Sequence, residues 1–220
     1  MSEPEVLQFE VEQPILNSPY YEPKEHWLIE PGVPAQRVQG RRKAGYFYRD
    51  PSAPTGADEH EARGQWMELP LANLIRERLR EWLPLALNGQ GGVSRVTMDL
   101  LRHWEDEERN QRLFFTQREA AETVIFLVEA RQDFLQGIEV PLENTGTPDR
   151  KAFLRYALKM ATGSGKTTVM AMIAAWSILN KIHATGDKRF SDTVLVVCPN
   201  TVIKSRLGEL DPLRGESSLY

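Results

Sequence analysis

Cysteine and long apolar runs are scarce in this sequence of 220 residues. The single cysteine, Cys198, has no partner for an intramolecular disulfide and lies in an apolar stretch, so it is most simply a small buried side chain. No apolar run approaches the ~18 residues of a membrane-spanning helix. The first residues, Met-Ser-Glu-Pro-Glu, lack the basic start and apolar segment of a secretory signal. We therefore expect no membrane contact and a cytoplasmic location.

Metal-ligand spacing and excess positive charge are also missing. The histidines His26, His60, His103 and His183 are scattered without a cysteine or carboxylate cluster, so surface or packing roles explain them better than metal ligation. The net charge of −4 gives no support to nucleic-acid binding, which would need a local basic patch. With 41% hydrophobic and 26% charged residues, the chain has the composition of an ordinary globular protein.

A glycine-rich loop is the most informative segment that is present. Residues 160–168 have the sequence Met-Ala-Thr-Gly-Ser-Gly-Lys-Thr-Thr. An apolar stretch, residues 153–160, precedes the loop, and apolar residues at helical spacing follow it. Strand, glycine-rich loop and helix in this order are the context of a phosphate-binding loop. We predict that the chain binds a nucleoside triphosphate; the alternative is a glycine-rich turn with an incidental lysine.

Each residue of this loop has a chemical reason to be there. Gly163 and Gly165 let the backbone bend and direct N–H groups at phosphate oxygens, and the helix N-terminus adds about half a positive charge. Lys166 can reach the β- and γ-phosphates, and the Thr167 hydroxyl is the expected ligand of Mg²⁺, so these two are the candidate catalytic residues. Met160 stands where the usual G-x-x-x-x-G-K-[ST] pattern has its first glycine. Further candidate contacts to the nucleotide are Thr162, Ser164 and Thr168.

The pattern along the chain predicts three segments. Residues 1–65 are rich in proline and have no sustained period, which predicts an extended arm. Residues 66–136 have helical periodicity, with helices over about 69–87, over about 96–104 running into the charged residues 105–109, and from Thr116 onward. Pro84 would end or kink the first helix. In the third, Thr116 and Glu119 match a capping box, followed by a buried stripe of Ala121, Val124, Ile125 and Val128.

Residues 151–220 have an α/β pattern after a predicted loop at residues 142–150. Residues 153–160 are expected to form a strand, residues 165–181 a helix, and residues 193–198 a second strand. The continuous apolar run of that second strand is typical of a strand buried on both faces of a parallel sheet, where each side chain contributes about 1.5–3 kcal/mol. The sequence therefore predicts an α/β fold with part of a parallel sheet, preceded by the helical segment and the arm.

A second candidate surface lies in the arm. Its cations surround Tyr46, Phe47 and Tyr48, a mixture that could hold a phosphate backbone and bases. We favour the alternative, a short strand of alternating aromatic residues with solvated basic neighbours. The cations are Arg37, Arg41, Arg42, Lys43 and Arg49.

Three segments together resemble motifs of superfamily 2 helicases. Residues 114–120, Phe-Phe-Thr-Gln-Arg-Glu-Ala, are similar to the Q motif; residues 160–168 are similar to motif I; and residues 194–206 are similar to motif Ia. The DEAD/DEAH-like helicase subunit of type III restriction enzymes is the nearest resemblance, since a methionine before Ala-Thr-Gly-Ser-Gly-Lys-Thr is familiar there. The proline-rich start also looks like the opening of such subunits. The resemblance implies that residues 151–220 begin a RecA-like P-loop domain.

The resemblance also implies roles for residues outside the loop. Gln117 would recognise adenine, because an amide can accept from the N6 amino group and donate to N7, and ATP with Mg²⁺ would be the ligand. The alternative is a polar residue in the first helical turn. Thr201, Lys204 and Arg206 would contact the phosphates of one strand of DNA, expected to be duplex, without sequence specificity; the alternative is a solvated helix start.

The implied function is that of an ATP-dependent DNA helicase or translocase subunit of restriction type, with a methyltransferase as a possible partner subunit. The acidic pair of motif II is not found before Tyr220, and Asp58, Glu59 and His60 lie in the arm. An arginine finger, worth 10³–10⁵ in rate, is also missing. We therefore expect the chain alone to turn over ATP poorly, as the first part of a longer motor. The alternatives are a non-catalytic nucleotide- or DNA-binding module, or a P-loop kinase.

Overall fold

The computed structural model describes residues 13–29, 33–48, 65–140, 155–198 and 207–219. The chain divides into two compact units, Met1–Asn73 and Leu74–Tyr220. In the described ranges, no helix has the length and apolar character needed to cross a membrane.

The first unit contains two antiparallel strand pairs. Strands β1 and β2, which are Glu25–Leu28 and Gln36–Gln39, form one pair. Strands β3 and β4, which are Gly45–Tyr48 and Gln65–Glu68, form the other. The segment predicted to be an extended arm therefore contains two strand pairs, and β3 includes the short strand favoured for Tyr46, Phe47 and Tyr48. In the sequence its prolines fall outside the strands, as expected for residues without a backbone N–H to donate to a ladder.

Side chains hold the ends of these strands. The side chain of Asn73 bonds Ala44 twice, accepting from its N–H at 2.7 Å and donating to its carbonyl at 3.3 Å. The Trp66 ring packs edge-on against Phe47, with ring centroids 5.0 Å apart. A Cβ on Gly45 would lie 2.4 Å from the Trp66 ring, so this position in β3 requires glycine.

Four α-helices lie in the second unit, apart from the first four residues of the first helix, and each one was predicted. They are followed by 3₁₀ helices at Leu207–Leu210 and Pro212–Ser217. Pro84 lies inside the first α-helix and does not end it, and the second helix ends at Glu105 rather than continuing through residues 106–109. The four are α1 at Pro70–Leu87, α2 at Arg95–Glu105, α3 at Phe115–Glu129 and α4 at Lys166–His183.

The start of α3 corrects the predicted capping box. The helix begins at Phe115 with Phe114 as the residue before it, so Thr116 is inside the first turn and is not the cap. The side chain of Gln117 takes the reciprocal part of the box, because its Oε1 accepts from the Phe114 N–H at 2.9 Å. The expected stripe of α3 is buried at Ala121, Val124 and Ile125, whereas Val128 is half-buried.

All four helices contribute to one apolar core. Two edge-on aromatic pairs lie in it, Trp82 with Phe126 and Trp176 with Phe190, each with ring centroids 5.3 Å apart. The core therefore joins the helices that precede the glycine-rich loop to the helix that follows it. Its buried members are Leu79, Trp82, Ala86, Leu101, Trp104, Leu113, Ala121, Val124, Ile125, Phe126, Ala130, Met172, Trp176 and Phe190.

The parallel sheet predicted around α4 is not found in the described residues. Residues 155–160 and 193–198 belong to no strand there, and the strand pairs that are described are both antiparallel. The apolar run is largely exposed, with Leu195 at 86% and Val197 at 83%. Apolar composition favours a strand, but a strand also needs a neighbour that supplies its hydrogen bonds. Residues 141–154 lie outside the described ranges, and Cys198 is half-buried.

Candidate nucleotide-binding site

The glycine-rich loop turns directly into α4 through two left-handed glycines. Gly163 has φ 80° and Gly165 has φ 81°, a region in which other residues are strained. Gly165 is the residue immediately before the first helical position, Lys166. The N–H groups of the first helical turn have no partner within the helix and, with the helix dipole, favour an anion.

The ammonium group of Lys166 lies over this loop. Its Nζ donates to the Ala161 carbonyl at 2.7 Å, and the Ser164 hydroxyl donates to the same oxygen at 2.7 Å. Lys166 is exposed, and an ammonium group has three N–H donors, so most of its donor capacity faces away from the loop. Thr162 is exposed as well, while Thr167 and Thr168 are half-buried at the start of α4.

Gln117 of α3 lies against the same loop. Its side chain is 6% exposed, and a Cβ built on Gly165 would lie 1.9 Å from its Nε2 atom. The backbone angle therefore favours glycine at position 165, and a side chain there would displace the Gln117 amide. Two segments that are distant in sequence, the start of α3 and the loop before α4, meet at this point. Since Oε1 of Gln117 accepts from Phe114, one of its lone pairs is used and the other remains.

Two buried carboxyl groups on α3 were not among the predicted site residues. Glu122 is 7% exposed and Glu129 is 3% exposed. Burial raises the pKa of Glu122 to about 8; Arg118 opposes the shift, and the nearby charges of Glu119 and Glu105 add to it. Burial of both could have been predicted from the sequence, because they are spaced at helical intervals along the face that contains Ile125.

The predicted motif Ia contacts, Thr201, Lys204 and Arg206, lie outside the described residues. They stay predictions. Within the described ranges, no group of three His, Cys, Asp or Glu side chains is arranged to hold a metal ion.

The positive charge of the basic and aromatic surface of the arm is partly neutralised by ion pairs. Arg37 pairs with Glu25, Arg41 with Glu22 at 3.6 Å, and Lys43 with Glu68 at 3.3 Å. The Arg42 guanidinium lies 4.5 Å from the centre of the Trp66 ring, while Arg49 is outside the described residues. Tyr46, Phe47 and Tyr48 form strand β3, with exposures between 43% and 49%. These ion pairs weaken the field that nucleic acid would need, so the geometry favours the strand interpretation.

The loop geometry, the lysine above it and the adjacent glutamine define a candidate site of the phosphate-loop class. Residues 110–210 match the family model described as type III restriction enzyme, res subunit. The match confirms the resemblance over this part of the chain, and a helicase-like ATP-binding module with a RecA-like P-loop fold is what that family implies. It includes α3, the loop and α4. The chain matched no curated protein and no solved structure.

Proposed function

We propose that this chain is the ATP-binding part of an ATP-dependent DNA helicase or translocase subunit of restriction type. The observation that supports this most directly is the contact of Gln117 with Gly165, because it joins the Q-motif-like helix start to the phosphate loop. A triphosphate seated on the loop would have its base on the side where Gln117 lies.

The loop would hold the triphosphate through backbone N–H groups at Thr162, Gly163, Ser164 and Gly165. Lys166 would turn its free donors toward the β- and γ-phosphates and offset their charge. The hydroxyls of Thr167 and Thr168 stand at the first turn of α4, and Thr167 is the residue that would hold Mg²⁺. The metal ion would neutralise charge that develops on the phosphates.

Gln117 would select the base. Its Oε1 has one remaining lone pair for the N6 amino group of adenine, and its Nε2 can donate to N7. Guanine presents an acceptor where adenine presents the amino group, so the same amide would pair poorly with GTP. We therefore propose ATP as the nucleotide.

The remaining proposals depend on the family match. Residues 151–220 would begin the RecA-like domain, helices α1 to α3 of residues 66–136 would support it through the shared core, and residues 1–65 would form a separate arm. Thr201, Lys204 and Arg206 would contact DNA phosphates, so that ATP hydrolysis in the whole protein, in the cytoplasm, drives movement on DNA. A methyltransferase subunit is the proposed partner.

The experiment is a titration of the chain with a fluorescent ATP analogue in the presence of Mg²⁺. Lys166→Ala should weaken binding at least about tenfold, the order of one strong charge-assisted contact. Lys188→Ala is the matched control, because Lys188 is an exposed lysine beyond the C-terminus of α4. Equal affinities in the unmodified chain and Lys166→Ala would overturn the phosphate-loop assignment. Circular dichroism of each variant ensures that folded proteins are compared.

A further inference from the structure

Glu129 is buried in a polar cluster with Thr97, Trp176 and Asn180, which are also buried, and with the half-buried Ser94. Its carboxylate accepts from the Thr97 hydroxyl at 2.5 Å, from the Trp176 indole N–H at 2.7 Å and from the Ser94 N–H at 2.9 Å. Glu129 is also the last residue of α3, where the helix dipole disfavours negative charge. A carboxylate at such a position is disfavoured by burial and by the dipole, and its three donors offset both effects.

The cluster connects three helices. The Thr97 hydroxyl of α2 accepts from Asn180 Nδ2 at 2.9 Å, and Asn180 Oδ1 in turn accepts from the Ser94 hydroxyl. Trp176 and Asn180 belong to α4, and Glu129 belongs to α3. Because every member of this network has a partner, the network fixes one arrangement of the helices more strictly than apolar contacts would.

Helices α3 and α4 therefore touch at two separate places. At their N-terminal ends Gln117 lies against Gly165, and further along Glu129 bonds Trp176. At 1.5 Å per residue the two contacts are about 18 Å apart along α3 and about 16 Å apart along α4. The near-equal spacings mean that the helices run side by side in the same direction. A shift of either helix along its axis would disturb both contacts together.

We infer that Glu129 is a positioning residue for base recognition: by holding Trp176, it keeps Gln117 at a fixed height over the phosphate loop. The inference rests on the proposed function, in which Gln117 recognises adenine. The turn of the loop is made by Gly163 and Gly165, and the Lys166 ammonium bonds the Ala161 carbonyl of the loop itself. Loosening the Glu129 contact should therefore reduce the preference for adenine and leave the affinity for the triphosphate largely intact.

Two variants test this, Glu129→Gln and Trp176→Phe. The first places an amide N–H₂ group against donors, and the second removes the indole N–H while keeping a ring beside Phe190. Trp82→Phe is the matched control. Trp82 is as deeply buried as Trp176 and donates its indole N–H to the Gly91 carbonyl at 2.8 Å, but it lies on α1 and joins no contact between α3 and α4.

The measurement is the ratio of ATP to GTP affinity, obtained by competition against a fluorescent triphosphate. Glu129→Gln and Trp176→Phe should each lower this ratio by roughly threefold to tenfold, the size of one net hydrogen bond, with GTP affinity little changed. Trp82→Phe should leave the ratio unchanged. In a Gln117→Ala background, Trp176→Phe should have no further effect on the ratio.

A second readout does not depend on nucleotide. The side-chain amide resonances of Gln117, assigned by their loss in Gln117→Ala, should shift in Glu129→Gln and Trp176→Phe but not in Trp82→Phe.

The outcomes separate the two proposals. If the unmodified chain prefers ATP and this preference persists in both variants, with unshifted Gln117 resonances, Glu129 has no positioning role while adenine recognition stands. If the unmodified chain binds ATP and GTP equally, adenine recognition by Gln117 is wrong, and the role assigned to Glu129 falls with it.

Discussion

At the scale of single residues, the two glycines of the loop have different surroundings. Both have left-handed backbones, with φ near 80°. A Cβ on Gly163 would meet nothing within 4 Å, whereas a Cβ on Gly165 would meet the Gln117 amide at 1.9 Å. The sequence predicted both glycines from the need for a sharp turn. It could not predict the contact with Gln117, because that contact depends on how α3 packs.

Gly165→Ala should therefore have two effects where Gly163→Ala has one. Each substitution strains the loop by about 1–2 kcal/mol and should weaken triphosphate binding. Only Gly165→Ala also displaces Gln117, so only this variant should lose the preference for ATP over GTP. Competition binding on the two variants measures the effect. Equal loss of preference in both would mean that backbone strain alone, without the Gln117 contact, controls base selection.

At the scale of elements, the helices were easier to predict than the strands. The apolar stripes of α1 to α4 repeat within each segment, so local sequence is enough to identify them. Strand β3 coincides with the alternating aromatic residues Tyr46 to Tyr48, but its partner β4 is four residues long, lies across a long connection and has no local pattern that distinguishes it. Residues 193–198 show the converse. Their apolar composition predicted a buried strand, but no described partner pairs with them.

Helix α3 also contains a carboxyl group whose environment differs from that of Glu129. Glu122 is buried as well, at 7% exposed, and the Arg118 charge opposes the effect of its burial only in part. Its pKa is raised from 4.5 to about 8, chiefly by burial. The folded chain therefore keeps a proton on Glu122 that the unfolded chain releases above pH 4.5. Rising pH between these two values favours unfolding.

Replacing Glu122 with glutamine should remove this pH dependence. In the unmodified chain the group should lower the free energy of unfolding by at most about 1.4 kcal/mol per pH unit between about pH 5 and pH 8. Glu122→Gln should flatten that slope and raise stability at pH 8 relative to the unmodified chain. Urea titrations across this range measure it, with exposed Glu108→Gln as the control. An unchanged slope in Glu122→Gln would show that the carboxyl titrates near its ordinary pKa.

At the scale of the whole molecule, every described residue of the candidate site lies in the second unit. Gln117, the loop and α4 all belong to Leu74–Tyr220 and share its core. The family match, residues 110–210, falls inside this unit too. Sequence motifs were sufficient to find the loop and its partner helix, because each phosphate contact needs a particular residue type. The network around Glu129 was not predictable, since its members acquire their roles only when three helices pack together.

Nucleotide binding should therefore stabilise the second unit and leave the strand pairs of the first unit unchanged. At a concentration of ATP and Mg²⁺ about 100-fold above the dissociation constant, the second unit should gain about 2.7 kcal/mol. Hydrogen exchange followed by mass spectrometry should show slower exchange in peptides from α3 and α4, because opening of either helix then requires loss of the ligand. Peptides covering residues 25–48 should exchange at the same rate with and without nucleotide. AMP lacks the β- and γ-phosphates and should not slow exchange in α4. ATP should not slow exchange in α4 of Lys166→Ala. Equal protection of both units would show that they unfold as one cooperative body. Protection by AMP as strong as that by ATP would show that the β- and γ-phosphates, and so the loop, contribute little to the binding energy.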